Sequence, residues 1–265
     1  KGKHLVKVSF MGYKIHEFEI DMDKSVSRNI QMVPNETVIK EVNVVGEKKD
    51  QNVKSIEMSV NKLQMKTIAK IPALMGEVDV LRVIQMLPGV KTVGEGSVGF
   101  YVRGGGVDQN LILLDEATVY NASHLGGMFS VFNQDVVKDI KLMKGGIPAT
   151  YGGRLSSILE ISMKDGNKKQ FSLTGGIGTL SSRLTVEGPI VKDKASFVLA
   201  GRRTYFDLFF PLLKDSTIKK SRAYFHDFNA KVNYQINENN RLFLSGYFGR
   251  DVMKFGGSFG MDYGN

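Results

Sequence analysis

The chain has no cysteine in its 265 residues, which excludes a disulfide scaffold and any thiolate metal site. Long apolar runs are missing as well: no stretch approaches the ~18 consecutive apolar residues of a membrane-spanning helix. Proline is scarce at 6, whereas glycine reaches 29. Without a repeat period, that balance excludes collagen and points to many turns and close backbone approaches. Nor is there a signal peptide, since the chain opens on Lys1-Gly2-Lys3-His4. The first residues already read as strand, and residues 255–265 form a glycine-rich, aromatic run with no closing element. Both ends therefore carry the expectation of a piece of a longer protein.

What is present begins with charge. The net charge is +9, and a basic balance raises nucleic acid or an acidic surface as partners. The lysines, however, stand singly or in pairs, as in Lys48-Lys49, Lys168-Lys169 and Lys219-Lys220. With no basic helix and no aromatic-interleaved basic stripe, they read as a solvated surface, and no nucleic-acid partner is expected.

Composition shifts divide the chain into residues 1–35, 36–70, 71–166 and 167–265. In the first, Leu5 to Phe10, His16 to Ile20 and Asn29 to Val33 read as short strands. The second is a charged linker containing one β-prone run, Glu41-Val42-Asn43-Val44-Val45-Gly46. The third reads as an α+β domain. An apolar stripe of Val78, Leu81, Val83 and Ile84 is stopped by Leu87-Pro88-Gly89. Asn133 is placed to cap a second helix bearing Val136, Val137 and Ile140. Strands are expected at 100–103, 110–114, 141–144 and 157–163.

From residue 170 onward the pattern has period two. Phe171, Leu173 and Ile177 alternate with polar or small residues. Phe228, Ala230, Val232, Tyr234 and Ile236 alternate with Asn229, Lys231, Asn233 and Gln235. Five such strands follow in series, each near the ~9–11 residues that a tilted membrane strand needs. Tight turns at 188–194 and 237–240 contrast with a long connection over 203–223. With the first strand running outward, both tight turns fall on one side of a membrane.

Several motifs point nowhere. Gly94-Glu95-Gly96-Ser97-Val98-Gly99 matches the dinucleotide fingerprint by letter, but a strand-like run follows it where a helix is needed. Gly104-Gly105-Gly106 lacks the Lys-Ser/Thr of a phosphate loop. The four histidines show no i,i+4 pairing, and no Ser-His or paired-carboxylate constellation stands out. Neither catalysis, metal nor cofactor is expected.

Leu87-Pro88-Gly89-Val90, Phe100-Tyr101-Val102-Arg103-Gly104-Gly105, Asp108 to Asp115 and Val119-Tyr120-Asn121 resemble the plug domain of TonB-dependent outer-membrane receptors. Lys144-Gly145-Gly146 and Tyr151-Gly152-Gly153-Arg154-Leu155-Ser156-Ser157 are similar to that plug's closing segment. Residues 1–33, with Phe10-Met11-Gly12-Tyr13, resemble the carboxypeptidase-regulatory-like β-sandwich domain that precedes the plug in Bacteroidota receptors. One departure is Glu116, where the family usually has glycine.

The resemblance implies a mixed β and α+β fold: a β-sandwich remnant, an α+β plug, and the first strands of an antiparallel transmembrane barrel of about 22 strands. It implies an outer-membrane receptor, with plug and N-terminal domain on the periplasmic side, that imports a small-molecule, glycan or peptide ligand using the proton-motive force. The implied partners are the TonB C-terminal domain, outer-membrane lipid and a surface lipoprotein. Residues 41–46 would be the TonB-binding segment. The polar loop with Asn121, Ser123 and His124 would face the ligand or else pack on the barrel wall, and Arg103 and Arg154 would bind carboxylates of the barrel lumen or else be surface arginines beside turns. The alternative is a non-transporting surface-binding or structural protein with a barrel anchor.

Overall fold

A computed structural model describes residues 3–9, 13, 15–21, 27, 29–33, 59–68, 78–256 and 259–264. It separates into two units, Lys1–Ile56 and Glu57–Asn265. In the first, β1 (Lys3–Val8) and β2 (His16–Asp21) form an antiparallel hairpin. Residues 29–33 carry no regular secondary structure, where their apolar residues suggested a third strand.

The second unit opens with β3 (Val60–Gln64) and two short helices, α1 (Met65–Ile68) and α2 (Val80–Gln85). Asp79 starts α2, its carboxylate accepting from the Leu81 and Arg82 amides at 2.8 and 3.3 Å. The other oxygen of that carboxylate accepts from the Ser130 amide at 2.7 Å, tying the helix start to a distant loop. Then come β4 (Val90–Thr92), β5 (Phe100–Val102), β6 (Asn110–Leu114), β7 (Ala117–Thr118), β8 (Ser123–His124), β9 (Phe129–Ser130), β10 (Val137–Met143) and β11 (Ser157–Met163).

Five of these strands make one mixed sheet in the order β3-β10-β11-β6-β7, with β11 and β6 parallel. The central strand β11 is covered on both faces, as its near-continuous apolar sequence requires. Leu159 and Ile161 pack under α2 with Val80, Leu81 and Ile84. Ile158 packs on the opposite face with Leu113 and Met143. The glycine loop at 94–99 is held by α2: Arg82 donates to the Gly96 carbonyl, and Gln85 donates to those of Ser97 and Gly99. It leads into strand β5 and forms no phosphate cradle.

The helix expected after Asn133 is absent. Asn133 caps a single turn, accepting from the Asp135 amide at 3.0 Å, and β10 follows at once. A bulge between Val137 and Asp139 explains the misreading. The extra residue puts Val137 and Ile140 on the same buried side, which mimics a helical i,i+3 spacing.

The remaining strands form a six-stranded antiparallel meander in chain order, one more than expected: β12 (Ser172–Ile177), β13 (Ser181–Val191), β14 (Ala195–Thr204), β15 (Arg222–Gln235), β16 (Arg241–Phe255) and β17 (Phe259–Gly264). The sheet is open, with β12 and β17 at its edges. The turn placed at 188–194 shrinks to 192–194. Gly188, Pro189 and Ile190 lie within β13, whose register slips beside Pro189, a residue with no amide to donate. The long connection spans 205–221 and contains a third helix, α3 (Ser216–Lys219).

Burial in this sheet is inverted relative to a soluble one. On β15, Asn229, Lys231 and Asn233 are 1%, 5% and 0% exposed, whereas Phe228, Val232 and Tyr234 are 46%, 39% and 44% exposed. Leu173, Leu184, Leu244 and Phe248 continue the exposed apolar face across the sheet. Where the chain leaves the α+β domain, Gly166 passes so close to the Phe197 carbonyl that any Cβ would collide with it, and its φ of +82° suits only glycine.

The departure at Glu116 has a conformational reading. The β6–β7 hairpin pairs Leu114 with Ala117, leaving Asp115 and Glu116 as central residues with φ of +46° and +71°. Positive φ at both positions marks a primed hairpin turn, where glycine is favoured second. Glu116→Gly should therefore stabilise the protein by roughly 0.5–1 kcal/mol, the left-handed strain relieved less the glycine's extra unfolded-state entropy. Asp115→Gly should destabilise it instead, because the Asp115 carboxylate accepts from the Met163 amide at 2.9 Å. Equilibrium unfolding of both variants checks the pair of signs.

Candidate functional site

The inner face of the meander receives the α+β domain through charged groups. The first cluster forms around His124. Leu125, Gly126 and Gly127 take φ of +49°, +66° and +105°, a tight reversal just after β8. His124 lies over Gly249 of β16, where a Cβ would sit 3.1 Å from the imidazole and closer still to Tyr247. The ring stacks on Phe225 at 4.0 Å between centroids. His124 Nδ1 meets Asp251 Oδ2 at 2.7 Å, and Nε2 lies 3.3 Å from Asp227 Oδ2 and 3.2 Å from the Tyr247 hydroxyl. The Leu125 amide donates to Asp251 Oδ1 at 2.8 Å. Arg202 closes the cluster, with Nε 2.9 Å from Asp227 Oδ2 and Nη2 donating to the Ser130 carbonyl at 2.8 Å.

Charge balance favours a protonated His124. Asp227 and Asp251 are buried beside one guanidinium, so a protonated imidazole makes the cluster neutral. Burial pushes the His124 pKa down, but hydrogen bonds to Asp227 and Asp251 push it up further, and the net result lies above the ordinary value. Both ring nitrogens then donate.

Two further clusters continue the interface. Lys231 Nζ lies 2.9 Å from Asp115 Oδ2 and 3.5 Å from Asp165 Oδ1, and donates to the Met163 carbonyl at 3.1 Å. Arg241 Nη2 reaches the same Asp165 oxygen at 2.5 Å. Burial raises the pKa of Asp165, but Arg241 and Lys231 outweigh it and hold the carboxyl below its usual value. Near the other side, Arg183 Nε of β13 lies 2.8 Å from Asp135 Oδ2. This is chemistry for holding rather than reacting: charge-assisted hydrogen bonds between two parts of one chain.

The residues expected from the sequence fall differently. Residues 41–46 lie outside the described residues. Arg103 bonds within the α+β domain, to the Lys144 carbonyl at 3.0 Å and the Ser59 hydroxyl at 2.9 Å. Arg154 donates to the Gly153 carbonyl at 3.3 Å. His124 is wholly buried in the interface and not open to a ligand. Asn121 and Ser123 line a cavity of about 550 Å³ with Tyr101, Tyr120, Asp108 and Arg154.

The charged interface residues Asp135, Asp165, Arg183, Arg202, Asp227 and Asp251 went unmarked in the sequence, although Lys231 was assigned to the polar face. Their signal was available in principle, since charged residues recur on the polar half of strands whose other half is apolar.

Removing His124 leaves two buried carboxylates with one cation. His124→Ala should destabilise the docked structure by about 3 kcal/mol at acid pH. Because the folded pKa is raised, this contribution is fully present below the unfolded value of about 6.5 and fades as pH rises through the folded value. Unfolding of wild type and variant across that range checks it: their stability difference should shrink with rising pH, and a pH-independent difference would contradict a charged His124.

Among known proteins, the family described as TonB-dependent Receptor Plug Domain matches residues 52–157. No curated protein matches the chain in sequence. Solved structures do resemble it. The ferric enterobactin receptor PfeA of Pseudomonas aeruginosa is 17% identical at a TM-score of 0.51, over 78% of this chain and 35% of that one. The siderophore receptor PirA of Acinetobacter baumannii is 18% identical at 0.52, over 78% and 33%. FpvA of P. aeruginosa, solved with heterologous pyoverdines, is 14% identical at 0.52, over 77% and 27%. The chain thus spans about a third of the length of these receptors. At such identities the likeness is one of fold: residues 52–157 match the plug-domain family, and the strands that follow have the fold of those receptors' first barrel strands.

Proposed function

We propose that this chain is the plug-bearing part of a TonB-dependent outer-membrane receptor that imports its ligand with energy from the proton-motive force. One observation carries the reading: the meander turns Asn229, Lys231, Asn233, Asp227 and Asp251 inward onto the plug and Phe228, Val232, Leu244 and Phe248 outward. In water that arrangement would expose a wide apolar surface. In a bilayer it is the expected one, with apolar residues facing lipid and polar residues facing the lumen. The strands fit in length too, β13 to β16 having 11, 10, 14 and 15 residues.

The plug closes the lumen, and the outer membrane has no nucleotide to drive its movement. Energy therefore comes through TonB, whose C-terminal domain pairs with Glu41, Val42, Asn43, Val44, Val45 and Gly46. Val42, Val44 and Val45 favour an extended strand, and backbone hydrogen bonds to a sheet edge would supply affinity with little demand on side chains. Asn121 and Ser123, on the 550 Å³ cavity, are the ligand-facing plug residues in this reading. The β1–β2 hairpin belongs to a carboxypeptidase-regulatory-like domain of the Bacteroidota type, and a surface lipoprotein covers the outer mouth. The similar receptors PfeA and PirA support ferric siderophores as the first cargo to try.

Deleting residues 41–46 from the full-length receptor should abolish energised uptake while leaving surface binding unchanged. Cells carrying wild type or deletion are given radio-iron-loaded siderophores, and bound and internalised label are counted separately. Undiminished uptake by the deletion would contradict the mechanism at its central step.

A further inference from the structure

The outward face of the meander changes character over one step of its register. Gly201, Phe228 and Phe248 share a row across β14, β15 and β16. The next row on that face, toward the 205–221 connection, is Arg203, His226 and Arg250. Two residues further, Tyr224 pairs with Val252 and that with Asp262, and beyond them Arg222 pairs with Lys254. Apolar side chains thus give way to a cationic and aromatic rim within about 7 Å, the rise of two strand residues. At the opposite end no such rim exists: Tyr234, Leu242 and Ile236 keep the outward face apolar up to the turns.

The rim's internal pairing is incomplete. Arg250 is neutralised by Asp262 in a two-point contact of 2.8 and 2.7 Å. Arg203 stacks over the Tyr224 ring at 5.3 Å, Tyr224 stacks on His226 at 6.5 Å, and His226 tilts against Phe248 at 6.2 Å. The ladder places the Arg203 guanidinium over an aromatic face, and a guanidinium so placed can still donate from its N–H groups. Arg203, Arg222 and Lys254 are exposed, and among the described residues none of them lies within ion-pair distance of a carboxylate, although Lys254 is near enough to Asp262 to act on its charge. Cations held at the border of a low-dielectric layer need an anion, and among the described residues of this rim the one carboxylate in an ion pair is that of Asp262, which Arg250 already takes.

We propose that the ends of β14, β15 and β16 next to the 205–221 connection form a binding site for the phosphate groups of an outer-leaflet lipid. The inference rests on the membrane reading above, which makes the apolar face the lipid-facing belt and the 205–221 side the external one. Arg203 and Arg222 bind phosphate oxygens through their guanidinium forks, Lys254 adds a third positive charge, and the acyl chains lie along Phe228, Phe248 and Leu244. Continuity of the rim with the apolar belt favours a lipid over a soluble anion, because one molecule then satisfies both surfaces.

The test uses the full-length receptor in nanodiscs containing bis-phosphorylated lipid A or its dephosphorylated form, with bound lipid counted by native mass spectrometry. Wild type should retain the phosphorylated form in preference. The triple variant Arg203→Ala, Arg222→Ala, Lys254→Ala should lose that retention by about tenfold or more. Lys192→Ala with Lys194→Ala, at the opposite end, should leave it unchanged, and Arg203→Lys with Arg222→Lys should restore most of it. Equal retention of both lipids, equal retention by the triple variant, or full displacement by inorganic phosphate would each overturn the site. Insertion into the disc without phosphate preference sinks this inference alone, whereas failure to insert sinks the membrane reading with it.

Discussion

The pairing of buried charge between the plug and the inner face of the meander constrains everything else in the second unit. Asp227, Asp251 and Lys231 are almost fully buried, and a lone charge so placed would be prohibitively costly. Each is answered from another part of the chain: Asp251 by His124 and the Leu125 amide, Asp227 by Arg202, and Lys231 by Asp115. With their polar residues committed inward, the strands turn their apolar residues outward. Neither half of the pattern makes sense alone. Without the plug the inner face would lack partners in this chain, and without an apolar solvent the outer face would be a large exposed patch.

A polar interface of this kind parts in water more readily than an apolar one. An apolar seam resists separation because water cannot replace its contacts, whereas carboxylates, guanidinium and imidazole regain hydration when parted. The interface here is mixed. Val198 and Ala200 of β14 join the apolar core under α2, while the three charged clusters flank that contact. Protonation of His124 binds the cluster into a neutral set, so the hold should respond to pH and to substitution at single residues.

Much of this was legible in the sequence, and the reason is periodicity. The alternation from Phe228 to Ile236 survives in β15 without a break, and Asn237 to Asn240 form the expected turn, with Asn237 Oδ1 accepting from the Asn240 amide at 2.7 Å. Leu87-Pro88-Gly89 ends α2 where proline and glycine should end it. Reading failed where geometry departs from a regular period: the bulge in β10 counterfeited a helix, and Pro189 sat inside a strand instead of a turn. The interface pairs were beyond reach for a different reason. His124 and Asp251 are 127 residues apart, and no local pattern encodes which buried histidine meets which buried aspartate. His124, in a polar loop that read as either ligand-facing or packed on the barrel wall, is buried against Asp227 and Asp251 of the meander. Arg103 and Arg154 drew attention through their glycine neighbours, yet their hydrogen bonds stay within the plug.

The central claim is that the meander's apolar face lies against lipid while its polar face lies against the plug. The chain contains no tryptophan, so in the full-length receptor, with any tryptophan outside these residues replaced by phenylalanine, single tryptophans report on their own positions. Val232→Trp and Leu244→Trp, placed on the outward face, should be strongly quenched by brominated lipid in reconstituted bilayers. Asn229→Trp and Ser245→Trp, on the opposite face of the same strands, should be quenched little. Equal quenching at all four positions, or none at any, would contradict the account.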